Sequence, residues 1–333
     1  MKALLYTAPE TLNYQDVETP SCQKAHDVLV KIEAVGICGS DMHAYLGHDE
    51  RRPAPLILGH EAAGIAQNGR YKGKNVAINP LVSCQKCELC LQGRVNICQN
   101  REIISMPPRQ GAFAEYITIP ERNLVLMPDG LSYEAGSLAE PVATGLHAVY
   151  LASKASQRPL AEVTALVVGA GAVGLSAALT LAAHGCKSLY VAEAHAGRRD
   201  AANQKGVLQA FDPLANPSFV AEGSVDVIID AVGIKATRVQ AMQWIKAGGV
   251  IVHVGLGQGM DGFDARKLTL QEVQFLGSYT YSMSDYKAAL TMLANGQMGA
   301  LDWHEVRDLS QGAKAFKDLQ QGKVDKAKII LKP

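Results

Sequence analysis

Six residues, Gly169-Ala170-Gly171-Ala172-Val173-Gly174, follow an apolar run, Val163–Val168, and open an Ala- and Leu-rich stretch, Gly171–His184. A lone G-x-G-x-x-G is a weak signal, but placed between a strand and a helix it has the context of a dinucleotide-binding turn. Gly169 makes the tight turn, Gly171 lets a pyrophosphate approach the backbone, and Gly174 allows close packing of helix on strand. The helix start then offers unpaired N–H groups to phosphate. The pattern continues with Ser188–Val191 (strand), Arg198–Lys205 (helix), Val225–Ile229 (strand), Thr237–Ile245 (helix) and Val250–Val254 (strand). Such alternation predicts a parallel sheet with helices on both faces. Glu193 ends the second strand, about 20 residues past the turn, where a carboxylate accepts ribose hydroxyls and repels a 2′-phosphate. That favours NAD over NADP. Arg198 and Arg199 are the counter-signal, since either can bind a phosphate. Their plainer reading is a solvated helix start with one guanidinium covering the adenine.

Four of the seven cysteines, Cys84, Cys87, Cys90 and Cys98, fall within one short stretch. Four thiolates brought together by tight turns match the tetrahedral ligand set of a structural zinc. The lobe Ser83–Gln99 has few large apolar residues, so a metal would supply its folding energy. A redox pair or an unmetallated loop are the plainer readings of the same spacing.

The first half of the chain is rich in short β-branched segments: Val28–Val35, Glu61–Ala66, Asn75–Ile78 and Phe113–Ile119. These predict an irregular β core with long loops. The pattern changes near Leu146, and after Gly277 the chain turns helical (Asp285–Ala294, Gln311–Gln320) before a last strand, Lys328–Leu331. Its 333 residues fit about two domains. Lys+Arg and Asp+Glu are equal at 32 each, so nothing electrostatic points to nucleic acid or membrane. The N-terminus lacks the apolar core and cleavage site of a signal peptide, and no apolar run reaches the roughly 18–20 residues of a membrane span. An odd cysteine count with zinc-like spacing predicts a reducing, cytoplasmic setting.

Three further clusters stand out: Gly36-Ile37-Cys38-Gly39-Ser40-Asp41-Met42-His43, Gly59-His60-Glu61 and Ala139-Glu140-Pro141. Singly, Cys38 or His60 would more often be a packed core residue. Together with the four-cysteine lobe, Phe113-Ala114-Glu115-Tyr116, Gly169–Gly174 and Asp230-Ala231-Val232-Gly233, they resemble the zinc-containing medium-chain alcohol dehydrogenases nearly end to end. The chain is most similar to the sorbitol, galactitol-phosphate and threonine dehydrogenase branch, which carries Glu, here Glu140, where classical alcohol dehydrogenases have a second catalytic cysteine.

The resemblance implies an α/β protein: a chaperonin-10-like catalytic domain from residues 1–147 and 278–333, with a zinc lobe at 83–99, and a Rossmann domain at 148–277. It implies two zinc ions per chain. Cys38 and His60 would bind the catalytic one, with Glu61 or Glu140 as third protein ligand, a choice left open; Asp41 would orient the histidine. The implied reaction is NAD-linked oxidation of a secondary alcohol, a polyol or similar small molecule, by hydride transfer from a zinc-bound alkoxide. Ser40 and His43 would form the proton relay; as bland residues they are a turn serine and a surface histidine. Thr144, Val232, Val254 and Gly255 would line the nicotinamide pocket. Tyr45, Phe113 and the Tyr279-Thr280-Tyr281 segment would shape the substrate pocket, although core packing explains such aromatics nearly as well. Arg51, Arg52 and Arg109 read as exposed loop arginines.

Two departures from the family pattern are visible. Ala66–Val76 is short, predicting a trimmed surface turn, and carries Gly73-Lys74-Asn75-Val76 in place of Gly-Asp-Arg-Val. The apolar segment Val273–Ser278 predicts an exposed sheet edge that a second copy would cover, giving a dimer or dimer of dimers. The rival readings are an NADP-linked reductase of an aldehyde or ketone, a zinc-free quinone-type reductase, and a structural or binding protein on the same fold.

Overall fold

The computed structural model describes residues 1–24, 26–257 and 259–333. Its second half holds a six-stranded, all-parallel sheet. The strand order is Gln209–Phe211, Ser188–Ala192, Thr164–Val168, Val225–Asp230, Ile245–His253, Gln274–Gly277. The central strands are apolar over their middle positions, Ala165–Val168, Val227–Ile229 and Val250–Val252, because both faces are covered there. Alternate side chains go to opposite sides. Ala165, Val167, Val227, Ile229, Val250 and Val252 join one core with the helices Ala139–Ala155, Ala172–Ala183 and Met283–Ala294. Leu166, Val168, Ile228 and Ile251 join the other with Phe211, Met242 and Trp244.

The first half forms a second, largely antiparallel sheet. Its order is Leu124–Leu126, Asn75–Ile78, Glu61–Ala66, Asp27–Gly36, Lys328–Lys332, His304–Asp308, with Tyr116–Pro120 also paired to Asp27–Gly36. The last strand of the chain thus closes onto the first half, with Ile330 opposite Gly36. A hairpin, Lys2–Ala8 with Thr11–Asp16, lies over it and was not anticipated from the sequence.

Three expectations are corrected. The predicted strand Phe113–Ile119 is ordered as a strand only over Tyr116–Pro120, because the amides of Ala112 and Phe113 are taken by the carbonyls of Gly59 and Leu58. The change of pattern near Leu146 falls inside one continuous helix, Ala139–Ala155; Pro141 sits in its first turn, where no amide is required. Arg52 is buried, with Nε donating to the Ser105 carbonyl and Nη1 to the Ser40 carbonyl, so it braces a loop. Arg109 is likewise mostly covered and paired with Glu102, whereas Arg51 is exposed. The short Ala66–Val76 segment is a tight turn between two paired strands.

Candidate metal centre and dinucleotide cleft

Strand Asp27–Gly36 delivers Cys38 to the start of the helix Gly39–Tyr45, and its antiparallel neighbour places Glu61 opposite Gly36. Any side chain at Gly36 would occupy the space of the Glu61 carboxylate. Donor atoms of Cys38, His60 and Glu61 lie within 4.8 Å of one another. Asp41 is fully buried and accepts from the amides of Cys38 (3.0 Å) and Gly59 (3.2 Å), while its Oδ1 stands 3.3 Å from His60 Nδ1. Burial opposes ionisation of Asp41, but His60, Arg52 and the Cys38 amide outweigh it and hold its pKa at about 2. His60 Nδ1 makes no well-directed hydrogen bond, but this carboxylate favours a proton on Nδ1, which would leave Nε2 with a free lone pair, the usual arrangement of a metal-bound imidazole.

Lys328, from the last strand, stands 2.7 Å from each oxygen of Glu61 and donates to the Ile37 carbonyl at 2.8 Å. Glu61 Oε2 nevertheless makes no well-directed hydrogen bond, so a buried carboxylate oxygen retains a lone pair beside a thiol and an imidazole. That donor set, one sulfur, one nitrogen and one oxygen, fits the three protein ligands of a catalytic zinc.

Glu140 lies just outside this set, in the first turn of the helix Ala139–Ala155. Burial, and then the charge of Glu61, push its pKa up to about 7, against the pull of His60, Tyr281 and Lys328. The Tyr281 hydroxyl is buried beside it. Ser278 Oγ, Thr280 Oγ1 and Tyr281 Oη all lack a well-formed partner among the described residues. Ser40 and His43 sit half-buried on the helix Gly39–Tyr45. Tyr45 and Phe113 are buried, their rings packed on Phe316 at 5.1 and 5.8 Å. Tyr279 is half-buried, with the Arg101 guanidinium over its ring and its carbonyl accepting from Asn96 at 2.8 Å.

The four lobe thiols also lie within 4.8 Å of one another. Amides of Lys86 and Cys87 directed at Cys84 lower its pKa to about 6, whereas burial and neighbouring thiols push Cys90 up to about 12. Four convergent sulfurs, one already stabilised as thiolate, fit a structural zinc.

In the parallel sheet, Gly169 has φ +93, and a side chain on Gly174 would meet the Gly169 carbonyl oxygen at 1.9 Å. Space beside Gly171, at the helix start, is open. Glu193 accepts the Ala170 amide on Oε2 and the His195 amide on Oε1, both at 2.7 Å, which fixes the carboxylate against the glycine turn. Arg198 Nε is buried without a partner among the described residues, while Arg199 is engaged by the carbonyls of Glu193 and Ala194. Across the sheet's carboxyl edge, Val254 and Gly255 donate to the Asp230 carbonyl, and Gly255 packs directly on the backbone of Val232. Thr144 is buried, its hydroxyl donating to the Glu140 carbonyl one turn back. The crevice outside the strand ends is where such sheets bind ligands.

Comparison with known proteins agrees with this geometry. Residues 24–129 match the alcohol dehydrogenase GroES-like domain, and residues 172–295 the zinc-binding dehydrogenase family. "Probable D-xylulose reductase A" of Aspergillus clavatus is 30% identical, over 94% of this chain and 91% of its own length. The chain belongs to the zinc-containing medium-chain dehydrogenases. Among solved structures, 2R,3R-butanediol dehydrogenase from Bacillus subtilis is 27% identical with a TM-score of 0.86, covering 100% of this chain and 99% of that one. A protein described as a zinc-binding dehydrogenase from Sinorhizobium meliloti 1021, bound to NADP, is 27% identical with a TM-score of 0.87, over 100% and 99%.

As a member of this family the dehydrogenase is an oxidoreductase. No helix among its described residues is long and apolar enough to cross a membrane. Sequence reasoning missed Lys328, because a lysine opening the short strand Lys328–Lys332 reads as a solvated end. It named the Tyr281 segment without its nearness to Glu140.

Proposed function

We propose that this dehydrogenase oxidises a secondary alcohol of a polyol or similar hydroxylated small molecule to the ketone, with NAD as hydride acceptor. The observation that carries the reading is the Cys38–His60–Glu61 donor cluster, held by Asp41 and Lys328. Glu140 connects it through one helix to the dinucleotide cleft. When bound, zinc supplies Lewis-acid acidification of the substrate hydroxyl and the nicotinamide accepts the hydride. Asp41 holds the His60 ring in one tautomer. Lys328 holds Glu61, and Glu140 is the nearby carboxylate poised to gain or lose a proton near neutrality. Ser40 and His43 carry the released proton outward along the helix Gly39–Tyr45. Ser278 and Thr280, with Tyr279, offer unpaired hydroxyls and an aromatic edge to a hydroxyl-rich substrate, which suits a polyol better than an alkane. Thr144, Val232, Val254 and Gly255 surround the ring, while Gly169, Gly171, Ala172, Val173 and Gly174 hold the pyrophosphate.

Glu193 favours NAD; the NADP-bound relative and the unpaired Arg198 support NADP-linked carbonyl reduction as the second reading. Residues 1–147 with 278–333 form the proposed catalytic unit and 148–277 the cofactor unit. The free edge of Gln274–Gly277 supports a dimer or dimer of dimers in the cytoplasm. The test is metal analysis with a polyol panel on wild type and Cys38→Ser. We expect close to two zinc per chain, and a folded, NAD-binding, inactive variant retaining one. Undiminished polyol oxidation by Cys38→Ser would refute the assignment.

A further inference from the structure

The adenosine side of the cofactor cleft is not built from the parallel sheet alone. Helix Ala196–Asn203 begins three residues after Glu193, with His195 as its N-cap. The C-terminal segment of the chain crosses this first turn. His195 Nε2 lies 3.2 Å from the Gly322 carbonyl oxygen, and a methyl carbon placed on Gly197 would fall 2.1 Å from Asp325 Oδ1. Further along, Lys205 donates to the Ala300 carbonyl at 2.9 Å and pairs with Asp302. Gly197 is the residue that makes room for the Asp325 carboxylate, and any side chain there would expel it.

We infer that Asp325 is a second determinant of cofactor choice: its carboxylate, lent by the returning C-terminal segment, opposes a 2′-phosphate on the adenosine ribose. The inference rests on the NAD reading above. Glu193 and Asp325 flank the same three residues, His195 to Gly197, the first through the His195 amide and the second against the Gly197 backbone. A helix start with an adjacent guanidinium would otherwise attract a phosphate. Arg199 is already engaged by the Glu193 and Ala194 carbonyls, with Asp212 at 3.4 Å, so of the two arginines Arg198 is the one available to a phosphate. Arg198 directly follows Gly197, so Asp325 stands against the same helix turn that carries this guanidinium. Removing Glu193 alone therefore leaves one carboxylate still guarding the site.

The test is direct titration of NAD and NADP into the full chain by calorimetry, comparing wild type with Asp325→Asn, which keeps shape and removes charge at an exposed position. Wild type is expected to bind NAD more tightly. For one charge pair near the surface, the NADP-to-NAD Kd ratio in D325N should fall about 3- to 10-fold. The Kd for NAD should move less than about two-fold, and the effect should shrink at about 0.5 M salt. Asp325→Glu should restore most of the ratio. A wild-type preference for NAD with a ratio unmoved by D325N overturns the role of Asp325 alone, as does an equal loss of affinity for both cofactors, which marks a merely structural contact. A wild-type preference for NADP overturns the cofactor reading itself.

Discussion

Replacing Lys328 with Met tests whether the metal centre depends on a cation supplied by the last strand. Lys328 is 4% exposed and Glu61 fully buried. Burial works against the lysine's charge, but Glu61 and Cys38 outweigh it and hold its pKa above the ordinary value. Methionine fills nearly the same volume but leaves the Glu61 carboxylate without its partner and the Ile37 carbonyl without its donor. Breaking such a buried pair from one side costs about 3–5 kcal/mol. For 333 residues, an unfolding entropy of about 0.7 kcal/mol/K converts this to a Tm lower by about 4–7 °C. Scanning calorimetry of the chelator-treated chain at pH 7, with no metal to compensate Glu61, reads it. The double variant Lys328→Met with Glu61→Gln removes the stranded charge and should recover more than half of the loss. A K328M Tm within about 1 °C of wild type, or a double variant no better than K328M, would show that the pair contributes nothing net, as some buried ion pairs do.

Two further outcomes are expected. With Glu140 raised to about 7 by burial and Glu61, the chelator-treated chain should lose stability as pH rises. The unfolded carboxyl ionises from about 4.3 while the folded one keeps its proton until about 7; Glu140→Gln should flatten that fall in a pH series of melting curves, and parallel slopes would refute it. Cys84→Ser should lower zinc content from about two to one per chain and raise protease sensitivity of the lobe first, since three sulfurs hold zinc poorly; mass spectrometry of the cleavage sites checks the order.

Legibility in the sequence tracked distance along the chain. The glycine turn and the four-cysteine lobe are contiguous motifs whose chemistry is written in their spacing, so both were readable from the residues. The donor set of Cys38, His60 and Glu61 is assembled by antiparallel pairing of Gly36 with Glu61, and only the family resemblance drew attention to it. Lys328 bonds a partner 267 residues away, and no local pattern distinguishes it from a surface lysine. Arg52 looked exposed because its acceptors are backbone carbonyls brought in from Ser40 and Ser105, and carbonyls leave no signature in sequence.

The helix Ala139–Ala155 carries Glu140 at one end. At the other, its Ala155 carbonyl accepts from Gln274 on the sheet edge, 3.1 Å away. Between them Gly145 lies against the backbone of Ala177, where a methyl group would fall 2.6 Å from the amide nitrogen. That contact pins the rod to the helix that opens at the cofactor turn. Inserting or deleting one residue between Glu140 and Gly145 would swing the carboxylate by about 100° and slide it about 1.5 Å, out of the field of His60. The chain is free to shorten its surface turns, as at Ala66–Val76, but this half-dozen residues acts as a fixed gauge block. In any redesign by domain exchange, the splice belongs beyond Gly145 and never within it.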